Sequence, residues 1–328
     1  MRSFFRRKQP QSAAPEAKTN DQLARQIAEQ LAQGLAFDRK YFRLWEQYGF
    51  HVTPNHFYQP IPDVSQLKER LWSKPSALAG IDMNYEGQLK LLEDVCVLYK
   101  SEYDQFPNEP NECVYDYYFD QPMFRSVDAE MLYCIIRHFK PARIVEIGSG
   151  FSTLVAAAAC RKNQAEGITT ELTSIEPYPN EVLKAGVPGL TYLMTTKLEE
   201  VEATLFTSLS ENDILFIDSS HILRIGNDVY YEYLDILPRI APGVFVHIHD
   251  IFLPFEYPRQ WVMDEYRFWN EQYLLQAFLM FNNAFKVIWA GSYMHYKNSD
   301  KLRSTFRSYD PATVWPGSFW MRRASDAT

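Results

Sequence analysis

Two acids and two histidines in this chain have the types and the spacing to act on one bound molecule. Asp218 and His221 lie in Phe216-Ile-Asp-Ser-Ser-His221, and His249 and Asp250 close the run Gly243-Val-Phe-Val-His-Ile-His-Asp250. An imidazole titrates near pH ~6.5, so His249 or His221 is suited to taking a proton from a hydroxyl at neutral pH. Carboxylate oxygens, with one imidazole, can instead hold a divalent ion such as Mg2+ that polarises a substrate oxygen. On this reading His249, His221, Asp218 and Asp250 are the candidate catalytic residues, and Asp218 and Asp250 the candidate metal ligands. His247 shares a strand face with His249, because side chains alternate along a strand, and is expected to be a buried structural histidine.

Such residues act only if the fold brings them together. Arg143-Ile-Val-Glu-Ile-Gly-Ser-Gly-Phe-Ser-Thr153 reads as an apolar strand, an acid and a tight Gly148-x-Gly150 turn, followed at once by a helix-forming run. That order places bare backbone and a helix N-terminus at the C-terminal edge of a parallel sheet, where nucleotide-like ligands bind. Glu146 is expected to face that ligand. Glu176 ends Thr173-Ser-Ile-Glu-Pro177 and can accept both hydroxyls of a ribose. Strands are expected at 143–147, 171–176, 190–195, 213–218, 243–249, 285–290 and 318–322. The helices between them are expected at 152–162, 180–186, 198–208 and 226–239, with another at 268–282. This alternation predicts an α/β fold with helices on both faces of a mostly parallel sheet. The aromatic stretch Trp261–Trp269 is expected either to pack or to wall a substrate pocket.

The N-terminal part reads differently. Residues 1–18 are polar and basic, and are expected to be a disordered tail. Thr19 and Gln22 have capping-box spacing ahead of Leu23, Ile27, Leu31 and Leu35. Helices at 63–72 and 85–103 complete a helical extension over 19–125. The sheet domain then occupies 126–328, opened by a helix at Ser126 with Asp128 and Glu130 in its first turn.

The bulk numbers exclude some classes. A formal net charge of −8 argues against a nucleic-acid surface. No apolar run approaches the ~20 residues of a membrane span. The cysteines Cys96, Cys113, Cys134 and Cys160 show neither zinc nor CxxC spacing and fit a reducing, cytoplasmic setting. The expected partner is a small-molecule substrate, with a homo-oligomer open.

Together, Val145–Thr153, Ser174–Pro177, Phe216–His221, Pro242–Asp250 and Gly317–Arg322 give a pattern that resembles the Rossmann-like, class I S-adenosylmethionine-dependent methyltransferases. More narrowly, it resembles a bacterial subgroup with Asp-x-x-His after the fourth strand and His-Asp after the fifth. Asn55–Pro60 and Trp269–Leu275 look like that subgroup too. The resemblance implies a seven-stranded mixed sheet of order 3-2-1-4-5-7-6. It implies that Glu146, Gly148, Ser149, Gly150 and Ser152 flank the methionine part of the cofactor and that Glu176 holds the ribose. It also implies that Thr195 or Thr196 lies near the adenine and that Asp218 stands between cofactor and acceptor. Ser219 departs from the family's usual glycine. The metal-dependent relatives carry Asp-Asn or Glu-Asp where this chain has His249-Asp250. The implied reaction is methylation of a small-molecule hydroxyl. The alternatives are a metal-dependent hydroxylase or other group transferase, and a non-catalytic cofactor-binding protein. A plain NAD fold is disfavoured because Thr153 stands where the dinucleotide fingerprint has its third glycine.

Overall fold

The computed structural model describes residues 19–325. The expected tail over 1–18 lies outside these residues. Packing divides the chain at Gln66, giving one unit up to that residue and a second from Leu67 onward. Residues 67–125 thus pack in the same unit as the sheet. The reason is visible in the core: Leu91, Leu92, Val95, Cys96 and Tyr103 are buried in one cluster with Ile144, Ile214 and Phe245 of the sheet.

The first unit contains the helix Asn20–Gln30, started by a complete capping box between Thr19 and Gln22. None of its described residues is fully buried, and Leu23 and Ile27 are half exposed.

The second unit is built on a seven-stranded sheet ordered β3-β2-β1-β4-β5-β7-β6. The strands are β1 Arg143–Ile147, β2 Glu171–Ile175, β3 Tyr192–Met194, β4 Ile214–Ile217, β5 Phe245–Ile248, β6 Phe285–Ala290 and β7 Phe319–Arg323. β1 to β5 pair in parallel, and β7 pairs antiparallel with both β5 and β6. Their near-continuous apolar sequences suit strands covered on both faces. Ile214 and Phe216 of β4 enter the cluster on one face of the sheet, while Leu215 and Ile217 enter the cluster on the other. β5 repeats this alternation with Phe245 on the first face and Val246 and Ile248 on the second. His247 follows Phe245 to the first face. It stacks on Phe216 at 3.8 Å between ring centroids, and its Nε2 lies 3.0 Å from Ser318 Oγ. Burial holds its pKa well below the imidazole range, so it is a neutral structural ring.

Several helices are shorter or less regular than their patterns predict. Asp128–Phe139 starts after Ser126, whose hydroxyl donates to Glu130 instead of capping. The region 198–208 holds two short turns, Leu198–Glu200 and Thr204–Thr207. A helix at Gly291–Thr305 was not foreseen. It carries a break at Asn298 and buries only Gly291, Ser292, Met294, Leu302 and Thr305, so its apolar stripe is too sparse to read.

Candidate active site

The site forms where β1, β2, β4 and β5 end. Backbone bonds from Gly148 N–H to Ile175 and from Asp218 N–H to Ile147 tie three strand ends into one edge. Gly148 has φ +79°, and a Cβ there would lie 1.9 Å from the Asp218 carbonyl oxygen. Only glycine satisfies both the left-handed backbone and that approach. Gly150 is different: a Cβ on it would meet nothing within 4 Å. The helix Phe151–Ala165 begins here, so its first N–H groups lack partners within the helix and point at the turn.

Beside this turn lies a cleft of about 400 Å³, lined by Gly148, Glu176, Tyr178, Leu198 and Asp218 among others. Glu176 is fixed at its rim. Its Oε1 accepts the N–H of Tyr178 at 2.7 Å and its Oε2 accepts that of Ser149 at 3.2 Å. Each oxygen keeps a lone pair for a further donor. Asp218 forms the opposite flank.

Glu146 does not face the cleft. It is 1% exposed, and its oxygens accept hydroxyls from Ser152 at 2.7 Å, Thr153 at 2.7 Å and Ser174. Burial pushes its carboxyl up to about 7, against the opposing pull of those three hydroxyls. Its place is beneath the turn, pinning the helix start to β1 and β2. The Ser152 hydroxyl is spent on the same task. Thr195 is exposed and does not line the cleft, and Thr196 bonds Glu200 at 2.8 Å. The third strand ends at Met194, and the chain beyond it returns to the cleft only at Lys197, Leu198 and Glu199.

The acid–imidazole cluster is assembled. β5 ends at Ile248, and Asp250 takes φ +54°, which turns its carboxylate back toward Asp218. His221 also adopts a left-handed backbone, φ +58°. Such conformations cost energy in residues with a side chain and gather at functional sites. His221 Nε2 lies 3.3 Å from Asp218 Oδ1 and 3.6 Å from Asp250 Oδ2. His249 Nδ1 lies 3.4 Å from Asp218 Oδ1 and 3.7 Å from Asp250 Oδ1. The carboxylates are the more accessible members, with side chains 27% and 17% exposed against 7% for His221 and 5% for His249.

Two acids absent from the expected set complete the surroundings. Glu271 Oε2 faces His221 Nδ1 at 2.9 Å, while Glu271 Oε1 accepts the Tyr233 hydroxyl at 3.2 Å. The N–H groups of Asn270 and Glu271 both reach the His221 carbonyl. Asp128 accepts the N–H groups of Gly317 and Ser318 at 2.9 Å each and lies 3.5 Å from His249 Nε2. Their only sequence signal is a place in the first turn of a helix, which a dipole role explains equally well.

This crowding of acids sets the protonation. Burial opposes charge on His221, but Asp218 and Glu271 prevail and raise it to about 10. His249 is likewise raised, with burial overcome by Asp218 and Asp250. Asp218 would be raised by burial but is held well below the carboxylate range by the His249 charge and by bonds from both imidazoles. The neighbouring acids thus favour the protonated form of both rings.

Residues 145–251 match the model of a methyltransferase domain family. An uncharacterised protein of Archaeoglobus fulgidus is 35% identical over 171 residues, spanning 49% of this chain and 75% of the relative. Among solved structures, the chain is similar to the plantazolicin methyltransferase BamL, in complex with a triazolic analogue and S-adenosylhomocysteine. The identity is 15% and the TM-score 0.36, over 61% of this chain and 84% of that one. It is also similar to cmcI-N160 with S-adenosylhomocysteine, at 13% identity and TM-score 0.35, over 69% of this chain and 91% of that one. With a glycine turn beneath its cleft, the segment 145–251, which runs from within β1 to just past β5, belongs to a methyltransferase domain family.

Proposed function

We propose that this enzyme methylates a small-molecule hydroxyl, and that the cleft between Glu176 and Asp218 receives the methyl donor. The observation that carries this reading is the pairing of the two carboxylates across the Gly148 turn, both lining one cleft of about 400 Å³. S-adenosylmethionine, when bound, supplies an electrophilic methyl on a sulfonium. Glu176 has lone pairs left for the ribose hydroxyls. Gly148, Ser149 and Gly150 present backbone to the methionine part. The acceptor belongs on the far side of Asp218, where Asp250 is the second open carboxylate. There Asp218 orients the acceptor and Asp250, whose carboxyl burial raises above its usual range, takes its proton, while His221 and His249 hold the two acids in place. Bound there, the donor would supply its sulfonium methyl to the acceptor oxygen and leave as the neutral thioether. Alignment of these atoms is the enzyme's main contribution to rate.

The Asp-x-x-His and His-Asp segments support placement in the bacterial subgroup that carries them. We place the boundary of the catalytic part at about residue 126, with 67–125 packed onto it as a cover.

Calorimetry with S-adenosylhomocysteine tests the donor site. Saturable binding that weakens in Glu176→Ala is expected, and its absence in folded protein overturns the reading. A panel of hydroxyl and amine acceptors with labelled donor then tests the acceptor class. Label carried only by amines would overturn oxygen methylation.

A further inference from the structure

The described residues of the first unit present an apolar face that no neighbour within that unit buries. In the helix Asn20–Gln30, Leu23 and Ile27 are 47% and 49% exposed. They stand about 40° apart around the axis, and Asp21, Arg25 and Glu29 fall on the opposite side. Farther along, Phe37, Phe42, Tyr48 and Phe50 are also exposed, interleaved with Arg39, Lys40 and Arg43. Phe37, Phe42 and Trp45 line a concavity of about 790 Å³ together with Arg39 and Arg43. Asp38 pairs with Lys40 at 2.8 Å and Glu46 with Arg43 at 2.9 Å. The excess positive charge therefore comes from the sequence ahead of the helix. Residues 1–18 hold five Lys and Arg against one acid, and Met1-Arg-Ser-Phe-Phe-Arg-Arg-Lys8 has four of them around two phenylalanines. Over residues 1–66 the counts are nine against six, and over 67–328 they are 24 against 35.

We infer that this N-terminal unit docks on an anionic lipid surface, with Arg2, Arg6, Arg7 and Lys8 drawn to the headgroups and the apolar face of the helix lying in the interface. Basic residues beside aromatic and aliphatic side chains are the composition of peripheral attachment, in which two weak signals act together. The division of charge localises the attraction, since residues 67–328 are acidic and are repelled by the same surface. A second copy of the chain fits the face less well. Leu23, Ile27, Leu31 and Leu35 recur every fourth residue, so their stripe winds round the helix instead of keeping the 3.5-residue seam of a coiled coil. The charged residues stand behind the stripe and not beside it, so a paired helix gains no flanking ion pairs. The basic stretches of two copies would also repel each other. A nucleic acid would use the cations and aromatic rings but has no use for the aliphatic stripe. No described helix is long and apolar enough to cross a membrane, so the contact lies along the surface. Docking of this unit is independent of the methyl-transfer reading.

The test is co-sedimentation of the full chain with lipid vesicles. Vesicles of equal parts phosphatidylcholine and phosphatidylglycerol should capture the protein at low salt, pure phosphatidylcholine should not, and raised salt should release it. Arg2→Gln, Arg6→Gln, Arg7→Gln and Lys8→Gln together should weaken the partition about a hundredfold or more, since each cation near such a surface is worth about a factor of five. Leu23→Gln with Ile27→Gln should weaken it about tenfold or more. Neither of these two residues is buried, so the melting temperature should stay at the wild-type value, which also shows that the variant is folded. Folded wild-type protein that ignores the anionic vesicles overturns the inference. So does capture that both sets of substitutions leave unchanged. A dimer in sedimentation velocity that Leu23→Gln with Ile27→Gln turns into a monomer assigns the face to a second copy and overturns it as well.

Discussion

The Cα of Gly148 and the carbonyl of Asp218 stand so close that a single added methyl would lie 1.9 Å from the oxygen. This contact joins the ends of β1 and β4 at the floor of the cleft. Gly148→Ala must therefore push the two strand ends apart as well as strain φ. A loss of about 3 kcal/mol or more is expected, with S-adenosylhomocysteine binding lost. Gly150→Ala faces open space and should leave the melting temperature nearly unchanged while weakening the ligand. A thermal melt and a calorimetric titration on the two variants check the contrast. Equal destabilisation by both would refute it.

Glu176 is held by two backbone N–H groups and is only partly buried. Glu176→Ala should cost about 1.5–3 kcal/mol of S-adenosylhomocysteine affinity, the worth of hydrogen bonds to a charged group. That is roughly a 10–100-fold rise in Kd. The unfolding midpoint in urea should barely move, which separates ligand loss from misfolding.

Glu130 gives the fold a pH dependence. It is 1% exposed, bonded by Ser126 and Ser308 on one oxygen and unpartnered on the other. Burial raises its carboxyl to about 7, against the lowering effect of those hydroxyls. The folded state thus binds this proton more tightly than the unfolded chain does. Its contribution to stability is full below pH ~4.5 and is lost as pH rises through ~7. The loss is on the order of 3 kcal/mol. Glu130→Gln cannot ionise, so its stability relative to wild type should improve between pH 5 and pH 8. Urea unfolding at several pH values reads this directly, and parallel curves for the two proteins would count against it.

Cys113 is exposed, whereas Cys96, Cys134 and Cys160 are buried. Burial also pushes the Cys160 thiol up to about 12 and raises Cys134. A thiol reagent should therefore modify one cysteine quickly in native protein and all of them after denaturation. Cys113→Ser should abolish the fast phase. A second fast thiol would show that the helical cover over the sheet opens readily.

The sheet was legible because covered parallel strands are short apolar runs, and β1, β4 and β5 each end in residues that cannot remain in a core. Glu146 shows where that logic stops. An acid at a strand end reads as ligand-facing, yet whether it faces out depends on hydroxyls arriving from Ser152, Thr153 and Ser174. Two of these lie in the next helix and one in a neighbouring strand. Thr195 lies off the cleft for a related reason, since β3 is only three residues long and ends at Met194. Glu271 was invisible because its role depends on helix Glu271–Leu279 meeting the loop after β4, a pairing about fifty residues apart in the chain. Asp250 was legible only conditionally. Alternation turns it away from His249, and the left-handed backbone that brings it back has no signature in an aspartate.

The position of β7 has a consequence for how the molecule comes together. This strand follows β6 in the chain but lies between β5 and β6 in the sheet. A nascent chain that has just completed β6 has no place to dock it, and β5 presents an unpaired edge. Residues 319–323 must arrive and insert before either is satisfied. The slow step of assembly should therefore be this late insertion, a long-range pairing that carries a large loop-closure cost. Until it occurs, the open edge of β5 is the surface most exposed to pairing with another chain.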